Sequence, residues 1–339
     1  MPEPPPSRTR SAAPTAAQHG APVNPAPVAT GAAAGPAARA PISVVIPTYR
    51  RESVLCDTLR RLLALVPPGG EIIVVDQTPE PAGAVAALVA EAAGRIAYLR
   101  LDAPNLPRAR NVGWRAASAE IVVYLDDDVI VHDGLLEVHR AAFQAPTVGG
   151  VAGRVLTRGF PLPDRPAWKS HLPSIGWLFF NFAQTRPCEV WTARGCHMSF
   201  RRTVLDALGG FDERYLPWPA SREETDLCFR LRRAGWRLVF EPRATVEHLM
   251  HETGGERVQH RDSALSPMHH ANALYFVWKN VPAHQRPLLL LVLLIQELRR
   301  QPVGRGRRSW ADRGRVLRLF LRGVVEGRRR ARAAGPSRG

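Results

Sequence analysis

The chain is 339 residues long and 45% hydrophobic, which is enough to build a substantial core and excludes both global disorder and a short disulfide scaffold. Its formal charge of +16 is concentrated at one end, because residues 299–339 hold 14 arginines against only Asp312 and Glu326. The body of the chain is therefore almost neutral, and a nucleic-acid-binding surface that covers the whole protein is excluded.

The start of the chain and its cysteines favour a reduced, cytoplasmic protein. Residues 1–40 are dominated by alanine and proline and contain no aromatic residue, a composition typical of a disordered leader. The four cysteines form no CxxC pair, so no disulfide framework is expected. The longest apolar run, residues 288–295, is far shorter than the roughly 18–20 residues that cross a bilayer, and no signal peptide is recognised.

Three short apolar runs predict parallel strands. Residues 43–46, 71–75 and 120–125 are continuous and rich in β-branched side chains, a pattern typical of strands that are covered on both faces. The spacing between them leaves room for a helix after each strand. The first half of the chain is therefore predicted to form a parallel α/β sheet.

Each predicted strand ends in polar residues. Residues 47–50 follow the first run, Asp76 the second and residues 126–128 the third. Ligands of open α/β sheets bind at the carboxyl ends of the strands, so these side chains predict a site at one edge. A loop that leads into a short helix can bring Arg108 and Arg110 to the same edge.

The second half contains one clear helix. Acidic residues begin the segment 223–233, arginines end it, and Gly235 follows, an arrangement that complements the helix dipole and provides a C-terminal cap. A strand over 237–240 comes next. Residues 154–191, rich in proline and aromatic side chains, are predicted to be irregular.

The most specific chemical signal is the triplet Asp126, Asp127 and Asp128. Three adjacent carboxylates repel one another, and a hard divalent cation such as Mg²⁺ or Mn²⁺, completed by substrate phosphates, relieves that repulsion. In an extended segment Asp126 and Asp128 point the same way and Asp127 points opposite. A solvated acidic turn, or a cap for the helix near residues 134–140, is the alternative interpretation.

Together these segments resemble the family 2 glycosyltransferases of the GT-A fold. The matching segments occur in order at 44–51, 74–78, 109–113, 125–128, 209–213 and 223–231, followed by 272–280. The resemblance implies an open, mostly parallel, Rossmann-like sheet flanked by helices, with a C-terminal helical extension. It also implies inverting transfer of a sugar from a nucleoside-diphosphate donor to a hydroxyl of a glycan or lipid-linked acceptor.

The resemblance sets the expected domain boundaries. A glycosyltransferase domain covers 41–255, with a nucleotide-sugar half over 41–150 and an acceptor half over 151–255. A helical extension follows over 256–298, and the Arg-rich tail covers 299–339.

The resemblance also assigns roles on the donor side. Asp76 accepts a hydrogen bond from the nucleotide base, and Pro47, Thr48 and Tyr49 line the base pocket. Without the family context, Asp76 is equally well explained as part of a strand-end turn.

The same comparison implies the metal and diphosphate ligands. Asp126 and Asp128 hold the metal, and His248 is a candidate third ligand that cannot be separated from His251 by sequence. An imidazole ligand favours manganese over magnesium. The residues expected next to the donor diphosphate are Asp127, Arg108 and Arg110.

On the acceptor side, Glu224 aligns with the family's general base, where related proteins carry aspartate, and Glu223 is the alternative. Both glutamates are also explained without catalysis, because acidic residues stabilise a helix N-terminus. Trp218 and Asp226 are assigned to the acceptor side, where Trp218 either stacks on a sugar ring or packs in the core.

The tail predicts a helix over 310–326 with apolar residues near one face, namely Val316, Leu317, Phe320, Leu321, Val324 and Val325. Such a helix either lies on an anionic membrane surface or packs on the domain as a terminal helix. No recognition motif supports a nucleic-acid partner.

Two other functional classes compete with sugar transfer. A dinucleotide-binding oxidoreductase needs a glycine-rich turn after its first strand, and no glycine follows Ile46 before Arg51. A non-catalytic protein that binds sugar nucleotides, or nucleic acid through the arginine tail, is the remaining alternative. Acidic residues are present at the predicted base-binding position (Asp76), in the triplet 126–128 and at the predicted general base (Glu223 and Glu224), which argues against loss of catalysis.

Overall fold

The computed structural model describes residues 42–67, 70–80, 83–159, 180–216, 221–251, 254–255, 263–300 and 308–334. The predicted leader over 1–40 lies outside these residues, as does Trp218. Most of the proline-rich part of the segment predicted to be irregular lies outside them too.

Nine strands of the described chain form one mixed sheet. Their bounds are β1 Ile42–Thr48, β2 Glu71–Asp76, β3 Ile96–Arg100, β4 Ile121–Leu125, β5 Val129–Val131, β6 Val148–Thr157, β7 Cys188–Glu189, β8 His197–Arg201 and β9 Arg237–His248. Their order across the sheet is β3-β2-β1-β4-β8-β6-β9-β5, and β7 pairs with β9.

Helices flank the sheet and continue beyond it. Their bounds are α1 Glu52–Leu65, α2 Gly83–Glu91, α3 Leu106–Ala116, α4 Leu135–Ala142, α5 Arg202–Leu208, α6 Glu223–Arg233, α7 Pro267–Asn280, α8 Arg286–Arg299 and α9 Trp310–Ala333. None of these helices combines the length and the apolar character that a bilayer crossing requires.

The first four strands in the order are parallel to one another, as the sequence predicts for β1, β2 and β4. Every residue of β1 and β4 is buried, which explains why their apolar runs are continuous. The edge strand β3 was not predicted, because only Ile96 of its five residues is buried and its apolar signal is weak. The parallel strands end at one edge, and their polar ends meet there.

The second half of the sheet brings His248, which is distant in sequence from the acidic triplet, to the edge where the parallel strands end. β8 runs antiparallel to both β4 and β6, while β9 runs parallel to β6 and antiparallel to β5. β9 is much longer than the predicted strand over 237–240, because a register shift after Gly153 accommodates Pro242 and pairing then resumes. The final pair of this strand places His248 opposite Val129, directly after the acidic triplet.

The C-terminal helices form a second apolar cluster that includes Leu274 and Phe276 of α7 and Leu289 and Leu293 of α8. They are joined to the sheet domain by charge. Lys279 lies 2.8 Å from Asp212 and 2.7 Å from Asp226 of α6. Burial opposes ionisation of Asp226, but Arg230 and Lys279 outweigh it and hold its pKa below the usual value. The predicted helical extension is therefore bound tightly to the domain.

The tail helix α9 is apolar on two sides. Val316 and Phe320 are buried, and Gly327 approaches α7 so closely that an added Cβ would lie 2.6 Å from the carbonyl carbon of Leu274. Leu321 and Val325, which the sequence placed on the same face, are exposed. One side of α9 thus fits the terminal-helix interpretation, and the other remains apolar and solvent-facing.

Two buried histidines form a polar chain beneath the sheet edge. His139 of α4 and His197 of β8 face each other, with 2.9 Å between their Nε2 atoms. Full burial favours the neutral form of both rings. The Arg154 carbonyl accepts from Nδ1 of His197 at 3.1 Å, and in a neutral ring this leaves Nε2 of His197 to accept from His139. Ser199 then donates to Nδ1 of His139 at 2.8 Å.

Acid should therefore destabilise the fold through this pair. Burial lowers the pKa of His139, and it lowers that of His197 to about 4. The unfolded chain takes up protons near pH 6.5, so stability should fall as the pH drops from about 6.5 to about 4. Each pH unit between the folded and unfolded pKa values of a histidine corresponds to a loss of roughly 1.4 kcal/mol. Urea unfolding as a function of pH measures this loss.

The variant His139→Gln should flatten the stability profile in that pH window, whereas His132→Gln, a change at an exposed residue, should not. Parallel profiles for the wild type and His139→Gln between pH 7 and pH 5 would contradict the assignment.

Candidate active site

A cleft with a volume of about 250 Å³ lies at the carboxyl edge of the parallel strands. Its lining includes Pro47, Thr48 and Tyr49, the residues predicted to form the donor side of the site, together with Gln77. Gln77 was not predicted, and its signal was its position directly after Asp76 at the end of β2. The side chain amide of Gln77 donates to the Thr48 carbonyl at 3.3 Å and fixes the two strand ends to each other.

Asp126 and Asp127 of the acidic triplet line the cleft, and Asp128 is fully buried next to them. Asp127 and Asp128 lie in a turn between β4 and β5 rather than in an extension of the strand. Asp127 points to one side, where it accepts from the Thr48 hydroxyl at 2.7 Å and lies 2.9 Å from Nη1 of Arg51. Asp126 and Asp128 both turn toward another side chain, His248.

His248 and the two aspartates are grouped closely enough to hold one ion. Nε2 of His248 lies 3.0 Å from Oδ1 of Asp128 and 3.8 Å from Oδ2 of Asp126, and the ligand atoms of all three lie within 4.8 Å of one another. His251, which the sequence could not separate from His248, approaches Asp128 through its backbone N–H at 3.0 Å.

The two oxygens of Asp128 have different surroundings. Oδ2 accepts from the His251 N–H and lies 3.0 Å from Nη1 of Arg51. Oδ1 is buried and faces Nε2 of His248 at 3.0 Å. A buried carboxylate oxygen that faces an imidazole nitrogen, with Asp126 beside them, offers the donor set that a divalent cation takes.

Arg51 compensates the buried charge of the triplet. Burial would lower the pKa of Arg51, but Asp127 and Asp128 outweigh it and raise that pKa. The same burial raises the pKa of Asp127 to about 6, whereas His248 and Arg51 hold that of Asp128 well below its usual range despite burial. Sequence analysis did not select Arg51 as a site residue, although it ends the matching segment 44–51.

Arg110 connects the triplet to the acidic helix. Its Nη1 lies 2.7 Å from Oε1 of Glu223, and its Nη2 donates to the Gly195 carbonyl at 3.1 Å and lies 4.0 Å from Asp126. Glu223, Asp126 and Glu224 raise the pKa of Arg110 against the effect of burial. A Cβ at residue 195 would lie 2.7 Å from this guanidinium, so the close approach depends on glycine.

Glu223 and its neighbour Glu224 line the same cleft but have different partners. Glu223 is buried and bound to Arg110. Glu224 is half-buried and makes no salt bridge with a described residue. Burial and the adjacent Glu223 raise its pKa to about 8, against the opposing effect of Arg110. Glu224 is therefore the carboxylate that can exchange a proton with a molecule in the cleft.

Four of the predicted residues that the structure describes are not in the cleft lining, namely Asp76, Arg108, Asp128 and Asp226. Arg108 is exposed, and its backbone N–H is bonded to the N-cap residue Asn105. Asp226 lies in the core, bound to Lys279 and Arg230. Arg110 and Glu224, each two positions from one of these, do line the cleft.

Asp76 lies just behind the residues predicted to form the donor side. Its carboxylate accepts from the Thr78 N–H at 2.7 Å and from the Tyr98 hydroxyl. Burial and Asp76 raise the pKa of Tyr98, so this hydroxyl stays protonated as a donor. Asp76 thus holds the loop after β2 in place, next to the position predicted for a nucleotide base.

Comparison with known proteins identifies the family. Residues 43–209 match the family described as "Glycosyl transferase family 2". This chain belongs to glycosyl transferase family 2. The family 2 chain is 36% identical over 144 residues to the pre-mycofactocin glycosyltransferase of Mycobacterium tuberculosis, an alignment that covers 41% of this chain and 29% of that protein. The chain thus matches less than a third of the length of that relative.

Two further similarities are to a rhamnosyltransferase and to a mannosyltransferase of known structure. The chain is 39% identical over 71 residues to the N-acetylglucosaminyl-diphospho-decaprenol L-rhamnosyltransferase of M. tuberculosis, covering 21% of this chain and 22% of that one. The mannosyltransferase PcManGT from Pyrobaculum calidifontis, solved with GDP-Man and Mn²⁺, superposes with a TM-score of 0.53 at 18% identity, covering 89% and 90% of the two chains. This likeness confirms the GT-A fold class.

The buried Arg110 should be essential for stability. Replacing it with methionine leaves Glu223 buried without its cation, which should cost about 3–5 kcal/mol. Urea unfolding measures the loss, and the double variant Arg110→Met, Glu223→Gln should recover part of it. Arg108→Met, on the same helix but exposed, is the matched control and should change stability little. Equal effects of Arg108→Met and Arg110→Met would contradict the role given to the pair.

Proposed function

We propose that this protein transfers a sugar from a nucleoside-diphosphate donor to a hydroxyl acceptor with inversion at the anomeric carbon. The observation that carries the proposal is the convergence of Asp126, His248 and Glu224 on one cleft. Asp128 lies 3.0 Å from His248, and the buried Arg110 lies between Asp126 and Glu223. This arrangement offers separate groups for a leaving diphosphate and for an attacking alcohol. Family membership supports the same reaction class.

The donor-side wall suits a nucleotide. The end of β1 offers the side chains of Pro47 and Thr48 to a base and ribose, and Tyr49 offers its ring. Gln77 also lines this part of the cleft. Arg110 carries a permanent charge that lines the cleft and attracts a diphosphate. The solved mannosyltransferase with the same fold contains a nucleoside-diphosphate sugar, which agrees with this use of the cleft.

Asp128, His248 and Asp126 are the residues that we propose hold a divalent cation. Its chemistry, when bound, is to neutralise the negative charge that the diphosphate gains as it leaves the sugar. The imidazole in the ligand set favours Mn²⁺ over Mg²⁺, and the solved mannosyltransferase contains Mn²⁺. Arg51 lies 3.0 Å from Oδ2 of Asp128, so Oδ1, which faces His248, would be the oxygen of this carboxylate available to hold the ion.

Glu224 is proposed as the general base. The acceptor oxygen forms a bond to the anomeric carbon while the bond from that carbon to the diphosphate oxygen breaks, and the hydroxyl proton passes to the Glu224 carboxylate. Attack from the face opposite the leaving group inverts the configuration. Glu223, the alternative base, already accepts from Arg110 and therefore serves better to position that arginine.

The acceptor is proposed to be a glycan or a lipid-linked saccharide. The name of the rhamnosyltransferase relative describes a sugar on a diphospho-decaprenol carrier, and this supports an acceptor of the same chemical kind. A lipid-linked acceptor implies that the protein works at the cytoplasmic face of a membrane. Both the donor sugar and its nucleotide are left open by this proposal.

The variant Asp128→Asn should lose Mn²⁺-dependent binding of a nucleoside diphosphate, because the amide cannot replace the carboxylate oxygen that faces His248. Isothermal titration calorimetry with and without Mn²⁺ measures this loss. Asp133→Asn, at an exposed residue shortly after the triplet, is the control and should bind as the wild type does. Unchanged Mn²⁺-dependent binding by Asp128→Asn would contradict the ligand assignment.

The variant Glu224→Gln should turn over about 10²–10⁴ times more slowly than the wild type, while donor binding stays nearly constant, because only proton removal is lost. Turnover of the wild type should rise with pH toward about 8, since the raised pKa of Glu224 keeps it protonated at lower pH.

The exposed-site variant Glu137→Gln should leave both turnover and its pH profile unchanged. Donor binding without measurable transfer or hydrolysis by the wild type would favour the non-catalytic alternative. Normal turnover by Glu224→Gln would move the base to another residue.

A further inference from the structure

The exposed apolar side chains of the described chain are clustered near its C-terminal end. The large hydrophobic residues with substantial exposure are Met268, Leu288, Leu291, Ile295, Trp310, Leu317, Leu321 and Val325. All of them belong to α7, α8 and α9, and the described part of the sheet domain contributes none. A cluster of this kind marks an interaction surface, whereas single exposed apolar residues do not.

Helix α8 is apolar on opposite sides. Leu289 and Leu293 are buried against the second core cluster. Leu288, Leu291 and Ile295 are spaced by three and four residues, so they share the opposite side of the helix, where Leu288 is 64% exposed. A helix that packs on a soluble domain is normally polar on that side. We call these three residues the α8 row.

Helix α9 has a similar outer side. Trp310, Leu317, Leu321 and Val325 follow one another at intervals of seven, four and four residues and therefore share one side. Trp310 is 86% exposed and Val325 is 70% exposed. We call these four residues the α9 stripe. Val316 and Phe320 lie on the buried side, so packing on the domain does not use the stripe.

The charges around the stripe are almost all positive. Arg328 and Arg332 continue it toward the end of α9, at the same helical spacing. The two acidic residues of α9 are both engaged locally. Asp312 accepts from the Ser309 hydroxyl at 2.8 Å, and Glu326 lies 2.8 Å from Arg329. The surface therefore favours a negatively charged partner.

A cavity of about 260 Å³ joins the ends of the two helices. It is lined by Trp278, Ala331 and three arginines, Arg286, Arg328 and Arg332, and no acidic side chain of the described residues lines it. The guanidinium carbons of Arg286 and Arg328 lie 5.0 and 5.4 Å from the centre of the Trp278 ring. Arginine groups arranged around one cavity without a carboxylate are suited to a phosphate.

The walls of this cavity are held by backbone contacts. The indole N–H of Trp278 donates to the Val324 carbonyl at 3.1 Å, and Arg286 donates to the Val281 carbonyl at 2.8 Å. None of the three arginines forms a salt bridge with a described residue. Their charge is therefore available to a ligand.

α8 and α9 lie side by side and antiparallel. The cavity brings Arg286, at the start of α8, next to Arg332, near the end of α9. At the other end of the pair, Arg308 donates to the Arg300 carbonyl at 3.2 Å. Two neighbouring helices of this kind can lie together in the plane of a membrane interface.

We propose that α8 and α9 dock on an anionic phospholipid surface, with the α8 row and the α9 stripe at the acyl boundary and the Trp278 cavity holding a lipid phosphate. Aliphatic side chains gain from contact with acyl chains and gain little from a nucleic acid, which distinguishes these partners. The proposal does not depend on sugar transfer, although it places the cleft near a lipid-linked acceptor.

Co-sedimentation of the full chain with phosphatidylcholine vesicles, with and without phosphatidylglycerol, tests the charge component. The wild type should bind well only when phosphatidylglycerol is present. The double variant Arg328→Gln, Arg332→Gln should bind about 25-fold more weakly, at about 5-fold per arginine near the surface. The control Arg60→Gln, Arg115→Gln removes the same charge from exposed sites of the sheet domain and should keep most of the binding.

The apolar component has its own variants. Changing the α8 row to glutamine should weaken vesicle binding at least about 10-fold, because its contact with the acyl boundary is lost. Glutamine at Ala86, Ala87 and Ala90, exposed on α2, is the control and should have no effect. Wild-type binding by either test variant would overturn the proposal.

Two competition experiments distinguish other partners. Vesicle binding should persist in the presence of inorganic phosphate or single-stranded RNA at equal ionic strength. Release from vesicles by phosphate alone would assign the cavity to a soluble anion. Preferential binding of RNA that is unchanged in the α8-row variant would assign the surface to nucleic acid. Either result would overturn the proposal. Nucleoside-diphosphate binding should be unchanged in all these variants, so failure here is separable from failure of the proposed transfer.

Discussion

Repulsion among five carboxylates is the constraint on which the rest of the structure depends. Residues 126–128 and the pair Glu223 and Glu224 come from distant parts of the chain and lie at or next to one cleft. Buried carboxylates are unstable without cations. Arg51 satisfies one side of the triplet, and Arg110 lies between Asp126 and Glu223. We propose that Oδ1 of Asp128 and the carboxylate of Glu224 are the groups left for the reaction.

This division of charge also explains the architecture around the cleft. Arg110 is carried by α3, Glu223 by α6 and the triplet by the β4–β5 turn, so their contacts join three elements. β9 adds His248 from the far side of the sheet because its pairing resumes after the register shift. The C-terminal helices are attached through Lys279 and through the packing of Phe276 on Phe229 of α6, which leaves the outer sides of α8 and α9 exposed.

The sequence predicted those elements whose burial leaves a simple pattern. The strands β1 and β4, which are fully buried, and β2, which is buried except at Glu71, appear as continuous apolar runs, and α6 shows acidic and basic ends. The edge strand β3 and the second half of β9 leave no such pattern, because only one residue of β3 is buried and Pro242 interrupts the apolar run of β9. In α9 the residues of the two apolar sides alternate along the sequence. Only the packed structure shows that Val316 is buried and that Leu317 is exposed.

The residues of the candidate site could be predicted from the sequence only to the same extent. Strand ends could be located, so Thr48, Asp126 and Asp128 were predicted at the right edge. Helical positions two residues apart point to opposite sides, and sequence alone could not decide which side of α3 or α6 faces the cleft. The predicted Arg108 and Asp226 therefore lie outside the cleft lining, whereas Arg110 and Glu224 lie in it. Arg51 was missed because its partners come from a turn that sequence analysis could not orient.

A crystal structure of the protein with Mn²⁺ and its nucleoside-diphosphate sugar would test the proposed division of charge most directly. We expect an ion ligated by Asp128 and His248, the nucleotide base near Thr48 and Tyr49, and the anomeric carbon turned toward Glu224. An ion bound elsewhere, or a sugar whose anomeric carbon faces away from Glu224, would contradict it.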